Sequence, residues 1–475
     1  MQVKRSAFLQ AAKPLLQELV RRLNERYGYV SVLAADTRGK FYNVANTGVN
    51  AGEEELFTRR GFVLKVYDGR SYGEYSFTHI DEDAIPAIVH EVEARLMPLM
   101  GLPEGLTLSE YGQIPDEPAT LFKCSEYEID PDEKGDEAIL SALTAIREAG
   151  KARDERIVDC AVGYTFQQVH KLFLSPHRDL EQNYLWSDGY IEAMCPKEDD
   201  IVCYMVGASD LGGAEVLDAL RGKLDEAVEG ALELIDSEPI PPGEYECVCT
   251  PAVTGMIVHE AFGHGVEMDM FVKDRAQAKR FMGEYVASPL VTMHDGAAVQ
   301  RDTGSYFFDD EGVLAHDTVI IEKGILKRGI CDAQSAMHLG VEPTGNGRRE
   351  SFERKSYTRM TNTYFEPGTD TFEDMIASVK DGFLLDNPTS GMEDPKNWGI
   401  QCMVNVAREI KDGKLTGRVF SPIVLTGYVP DLLKSITMVS KDFGLEGAGM
   451  CGKGWKEWVK VSDGGPCIKA RIRLG

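Results

Sequence analysis

The sequence predicts an α+β protein in which a mixed α/β N-terminal domain, residues 1–236, is joined by a linker at 237–243 to a β-rich, largely antiparallel C-terminal domain, residues 244–475. Three observations carry this expectation. A chain of 475 residues exceeds what one compact core accommodates. Helix-type and strand-type periodicities mix before residue 237, and after it short β-prone runs alternate with glycine turns.

From Ala7 to Arg26, Leu15, Leu16, Leu19, Val20 and Leu23 recur at three- and four-residue spacing opposite Arg21, Arg22 and Glu25, which marks an amphipathic helix. Between Gly61 and Thr78 two β-prone runs flank Asp68-Gly69, a dipeptide that favours a tight hairpin. A second helix is expected over Asp83–Met97, and Gly101 to Pro118 reads as a connector. An acidic helix follows at Asp136–Arg153, with strands near Ile157–Phe166 and Ile201–Ala208. Leu217, Leu220, Leu224, Val228 and Leu232 line one side of a single helix predicted over Gly213–Asp236. The prolines of Ser237-Glu-Pro-Ile-Pro-Pro-Gly243 cannot continue it. Beyond the linker, strands are expected at Tyr245–Val248, Thr318–Ile321, Ile325–Ile330, Gln401–Ile410, Gly417–Leu425 and Ile468–Leu474, with turns at Glu322-Lys323-Gly324 and Lys411-Asp412-Gly413.

Composition narrows the function. With 77 acids against 51 bases the net charge is −26, which opposes direct nucleic-acid binding because phosphate neutralisation needs a basic surface. No stretch is apolar enough for a membrane helix, and the N-terminus lacks the apolar core of a secretory signal, so the chain reads as cytoplasmic. Its 10 cysteines are scattered without the spacing of a disulfide framework.

Two of the histidines bracket a glutamate in Val258-His-Glu-Ala-Phe-Gly-His-Gly265. Imidazoles that hold a metal around a carboxylate that works on water are a metallopeptidase pattern, normally spaced HExxH. Here the spacing is HExxxH. In a regular α-helix, residues five apart lie about 140° apart around the axis, too divergent for one ion. The reading therefore requires local widening between His259 and His264, as in a π-type turn, or a helix end before His264. Gly263 and Gly265 permit either. Two histidines leave a catalytic zinc one protein ligand short. Cys451 stands out within the glycine-rich Glu446-Gly-Ala-Gly-Met-Cys-Gly-Lys-Gly454, while Cys247 and Cys249 share one face of a β-prone run that fits core packing.

The sequence resembles the TldD/PmbA metallopeptidases, also called modulators of DNA gyrase. The likeness lies in His259-Glu-Ala-Phe-Gly-His-Gly265, Asp309-Asp310-Glu311-Gly312, Ile321-Glu-Lys-Gly-Ile-Leu-Lys327, Pro343-Thr-Gly-Asn-Gly-Arg-Arg-Glu-Ser351, Arg359-Met-Thr-Asn-Thr-Tyr364 and Gly449-Met-Cys-Gly-Lys453. The resemblance implies a TldD-type active subunit, a zinc-dependent peptidase with His259, His264 and Cys451 as Zn2+ ligands and Glu260 as general base. It also implies unfolded peptides as substrates, and a homodimer or a heterodimer with a TldE/PmbA-type chain. Two other classes stand beside it: a regulatory partner of a nucleic-acid enzyme, and a catalytically silent scaffold. The chain departs from the family after Lys453, where Gly454-Trp-Lys-Glu-Trp-Val459 places two tryptophans expected to reshape the cleft. Phe262 is expected in the core. The loop Gly345–Ser351 is expected either to hold Arg348 or Arg349 near a substrate backbone or to lie exposed with ordinary salt bridges.

Overall fold

The computed structural model describes residues 1–56, 58–96, 111–455 and 457–475. Its α+β architecture begins with an eight-stranded sheet in the order Tyr72–Phe77, Arg59–Tyr67, Tyr29–Ala45, Asp159–Leu174, Arg178–Lys197 and Ala119–Cys124. Gly48–Glu53 is added beside Tyr29–Ala45, and Asp200–Asp210 beside Arg178–Lys197. The pairings are antiparallel apart from Ala119–Cys124, which runs parallel to Arg178–Lys197. The predicted first helix is Ala7–Asn24. Ser6 caps it by accepting from Leu9 N at 3.1 Å, and Leu9, Leu16, Leu19 and Leu23 are buried against Val30, Val32, Phe62 and Leu64. The helices Ala84–Leu96 and Asp136–Lys151 also follow the periodicity, whereas Met97 and the part of the connector at 101–110 lie outside the described residues.

Two expectations change here. The hairpin pairs Tyr67 with Tyr72, so its turn has four residues rather than two. Asp68 Oδ1 accepts from the amides of Arg70 and Ser71 at 2.8 Å each, and Gly69 takes φ +100°. The single helix expected over Gly213–Asp236 is two, Val216–Gly222 and Leu224–Leu234. It breaks where glycine's weak helix propensity lets Lys223 leave helical angles (φ −93°, ψ 5°), and both halves keep their leucines on the sheet.

After residues 235–242, Gly243–Cys249 enters a seven-stranded sheet ordered Asp381–Asp394, Gly243–Cys249, Ile468–Leu474, Ile423–Tyr428, Gly399–Lys411 and Lys414–Phe420, with Met438–Val439 added to Ile468–Leu474. Pairing of Asp381–Asp394 with Gly399–Lys411 closes the path on itself. The run expected as one strand at Gly417–Leu425 divides around Pro422, which has no N–H for a ladder, and Ile325–Ile330 shortens to Ile325–Leu326. A six-stranded sheet lies beyond: Ile325–Leu326, Asp317–Glu322, Met293–Gly296, Asn362–Phe365, Ser462–Gly465 and Gly444–Glu446. The helix Pro251–Ile257 packs between strands of these two sheets. It is apolar all round because both sides are core.

Ion pairs with at least one buried partner join the N-terminal sheet to the later chain. Lys65 meets Glu311 at 2.5 Å, Lys171 pairs with Asp310, and Arg349 pairs with Glu74 at 2.5 Å. Asp309 accepts from the amides of Glu311, Val313 and Gly347, so Asp309-Asp310-Glu311 works as a buttress. A buried charge stripped of its partner is costly. Glu311→Ala is expected to lose about 3–5 kcal/mol in denaturant unfolding, and a loss under about 1 kcal/mol would contradict the buttress.

Candidate metal centre

Thr250 precedes the helix, and Pro251 occupies its first turn, where a missing N–H costs nothing. At Val258 the helix widens. Val258–Gly263 is a π-helix, the amide of His264 donates to His259 O five residues back, and a 3₁₀ turn covers His264–Val266. The expected widening is therefore present, and it stacks residues five apart on one side. Close packing requires both glycines. A Cβ on Gly263 would lie 2.1 Å from Met360 Sδ, and one on Gly265 would lie 2.6 Å from Glu393 Oε1.

Cys451 arrives from the opposite direction on Met450–Lys453, which pairs with Glu457–Lys460. Its Sγ lies 3.3 Å from His259 Nε2 and 3.4 Å from His264 Nε2, and the imidazole rings stand perpendicular with centroids 5.1 Å apart. The three donor atoms all lie within 4.8 Å of one another. Zinc with bonds of about 2.05 Å to nitrogen and about 2.3 Å to sulfur places tetrahedral N···S edges near ~3.6 Å. The donor set fits such an ion with one position left over. Cys247 and Cys249 are instead fully buried in the core of their strand, where burial pushes both thiols up.

Glu260 follows His259 and is half-buried, and its Cγ would lie 2.4 Å from a Cβ on residue 391, so only glycine fits beside it. Phe262 is fully buried against Trp398. Trp455 is 93% exposed and Trp458 covers Gly452 on the neighbouring strand. Both arginines of the Gly345–Ser351 loop are engaged by neighbouring groups of the protein. Arg349 is buried on Glu74, and Arg348 donates to Met360 O at 2.7 Å and lies over the Tyr306 ring.

Carboxylates surround the imidazoles. His264 Nδ1 faces Glu267 Oε2 at 3.3 Å, and His259 Nδ1 faces Asp463 Oδ2 at 3.9 Å without a hydrogen bond. Sequence reasoning missed both acids. Glu267, three residues past His264, carried a helical-spacing signal, whereas Asp463 carried none.

Residues 242–471 match the family described as the PmbA/TldA metallopeptidase C-terminal domain. A metalloprotease of Methanocaldococcus jannaschii is 32% identical over 368 residues, covering 77% of this chain and 78% of its own. The chain belongs to the PmbA/TldD metallopeptidase family. A protein of Saccharolobus solfataricus named a zinc metalloprotease TldD homolog is 33% identical over 49% of this chain and 52% of its own. Crystalline TldE from Thermococcus kodakarensis shares the fold at a TM-score of 0.73 and 19% identity, over 97% of this chain and 100% of that one.

Burial opposes charge at each of the three donors, and their proximity reverses it. The imidazoles of His259 and His264 hold the Cys451 thiol well below its usual range. The thiolate raises His259 to about 9, and thiolate and Glu267 together raise His264 well above the usual imidazole range. Burial also opposes ionisation of Glu267, but Lys453, His264 and Arg359 hold it at about 2. With no metal bound, both rings are expected to hold their protons near neutrality and the sulfur none. Because ligands bind deprotonated, uptake of a divalent ion should expel about two protons, and affinity should rise by about two log units per pH unit from neutrality towards pH 9 and fall on acidification. Calorimetry in buffers of different ionisation enthalpy counts them. Release of one proton, as from an ordinary thiol beside neutral imidazoles, would contradict this charge state.

Proposed function

We propose that this chain is a zinc-dependent metallopeptidase that hydrolyses peptide bonds in unstructured peptides, with His259, His264 and Cys451 as ligands and Glu260 as general base. The observation that carries the reading is the convergence of one sulfur and two ring nitrogens within 4.8 Å, one residue away from a half-buried glutamate. Thiolate and imidazole together suit zinc, and the Saccharolobus relative is named a zinc metalloprotease. When bound, the ion supplies Lewis acidity towards a carbonyl and lowers the pKa of water towards ~7.

The remaining chemistry belongs to the chain. Glu260 Oε takes a proton from the attacking water and returns it to the departing amide nitrogen. The strand Asp381–Asp394 supports substrate binding beside it. Its first part pairs with Gly243–Cys249 through Gly382–Leu385, while from Pro388 to Asp394 the ladder among the described residues continues with Gly399–Lys411 alone. The edge of Pro388–Asp394 away from Gly399–Lys411 is where an extended peptide adds as a strand, and Glu260 lies over the face of that segment at Gly391. A homodimer, or a pair with a TldE/PmbA-type chain, is the assembly we expect, supported by the fold shared with TldE.

Glu260→Gln keeps the shape and all three donors. It should retain one zinc per chain and lose turnover about 10²- to 10⁴-fold on a mixture of unfolded peptides read by mass spectrometry. Chelator should stop cleavage by the unaltered protein. Turnover retained in E260Q would reject Glu260 as the base, and chelator-insensitive cleavage would reject the metal.

A further inference from the structure

We infer that Glu267 is a positioning residue that couples two of the three metal ligands, an inference that rests on the reading of His259, His264 and Cys451 as a metal site. Glu267 is 2% exposed and sits just past the 3₁₀ turn that ends in Val266. Its two oxygens look in different directions. Oε2 lies 3.3 Å from His264 Nδ1 and accepts from Lys453 Nζ at 2.9 Å. Oε1 faces Arg359 Nε at 3.8 Å, an ion pair without a hydrogen bond, so Lys453 carries the direct bond of the clamp and Arg359 the charge.

The first contact fixes a tautomer. When the ring is deprotonated to ligate, a proton kept on Nδ1 towards Glu267 leaves the lone pair of His264 on Nε2, the nitrogen 3.4 Å from Cys451 Sγ. The other two contacts reach the second ligand through its backbone. Lys453 lies two residues beyond Cys451 on the same strand and also donates to Asp269 at 2.8 Å and Thr358 O at 3.0 Å. Arg359, 1% exposed, donates through Nη2 to Cys451 O at 2.5 Å and through Nη1 to Glu457 O at 3.0 Å. Both strands of the Cys451 hairpin are thereby tied to the carboxylate that orients His264. A turn near residue 264 and a hairpin near residue 451 have no covalent reason to meet, and this clamp supplies a physical one.

His259 provides the internal comparison. Its Nδ1 has Asp463 only at 3.9 Å and makes no hydrogen bond, and Asp463 Oδ2 is not tied to the Cys451 hairpin by any ion pair among the described residues. Loss of Glu267 should therefore weaken metal binding more than loss of Asp463.

The test uses the full chain, stripped of metal and titrated with Zn2+ against a chromophoric chelator, then with Co2+ followed by absorption. The unaltered protein should bind one ion per chain. Glu267→Gln should weaken Zn2+ binding about 10- to 100-fold, Asp463→Asn by less, and Glu267→Asp, which keeps the charge, should recover part of the loss. The thiolate-to-cobalt absorption band should weaken in E267Q, because the cysteine hairpin is loosened along with the histidine, a change that a general loss of stability would not produce in folded, cobalt-saturated protein. Should E267Q fail to fold, Arg359→Lys, which keeps a cation and surrenders the fork to the hairpin carbonyls, is expected to shift affinity and band in the same direction. E267Q or R359K binding within twofold of the unaltered protein, with an unchanged cobalt band, would overturn the clamp alone. An unaltered chain that binds neither ion would overturn the metallopeptidase reading on which the clamp rests.

Discussion

The wide turn from Val258 to Gly263 is the feature on which the rest of this site depends. Five residues separate His259 from His264, and a regular α-helix would aim their rings apart. The turn is held from outside. Met360 fills the space that a side chain on Gly263 would need, Glu393 does the same at Gly265, and Gly391 leaves room for Glu260. Glu393 and Gly391 come from the strand Asp381–Asp394, and Met360 from the segment leading into Asn362–Phe365, strands of the two sheets that enclose the helix Pro251–Ile257. A π-type turn is less stable in isolation than the α-helix it interrupts, so packing on both sides, rather than local propensity, selects it.

Charge is arranged on two scales. The net charge of −26 is spread over the chain, yet cations are placed in the interior beside particular acids. Lys453 and Arg359 face Glu267 behind the donor cluster, while Lys65, Lys171 and Arg349 face Glu311, Asp310 and Glu74 between the first sheet and the later part of the chain. Buried pairs of this kind contribute little net stability, but either partner alone is strongly destabilising, so they specify which segments meet. The two hydrophobic halves are also continuous. Val406 and Val419, from the closed sheet, pack in the same core as Leu224 and Leu234.

Local periodicity made the helices legible. The apolar spacing of Leu16, Leu19 and Leu23 and the donor pattern around Glu260 both reflect geometry confined to a few neighbouring residues. The long strands Tyr29–Ala45 and Arg178–Lys197 did not show as such, because both faces are covered along much of their length and strict alternation is lost. The break at Lys223 was hidden because both half-helices continue one leucine stripe. Cys451 was visible only through the glycines around it. The outer shell was not legible at all: Arg359 reaches Cys451 across 92 residues and Lys453 reaches Glu267 across 186, and no short-range pattern encodes contacts of that separation. The arginines at 348 and 349 show the converse, since a basic cluster on a glycine-rich loop proved to be internal bracing.

The most direct test of this account is X-ray absorption at the zinc edge of protein purified without added chelator. Two nitrogens at about 2.0–2.1 Å and one sulfur at about 2.3 Å, with the sulfur lost in Cys451→Ser, is the shell the geometry predicts. A shell of nitrogen and oxygen alone, unchanged by that substitution, would contradict it.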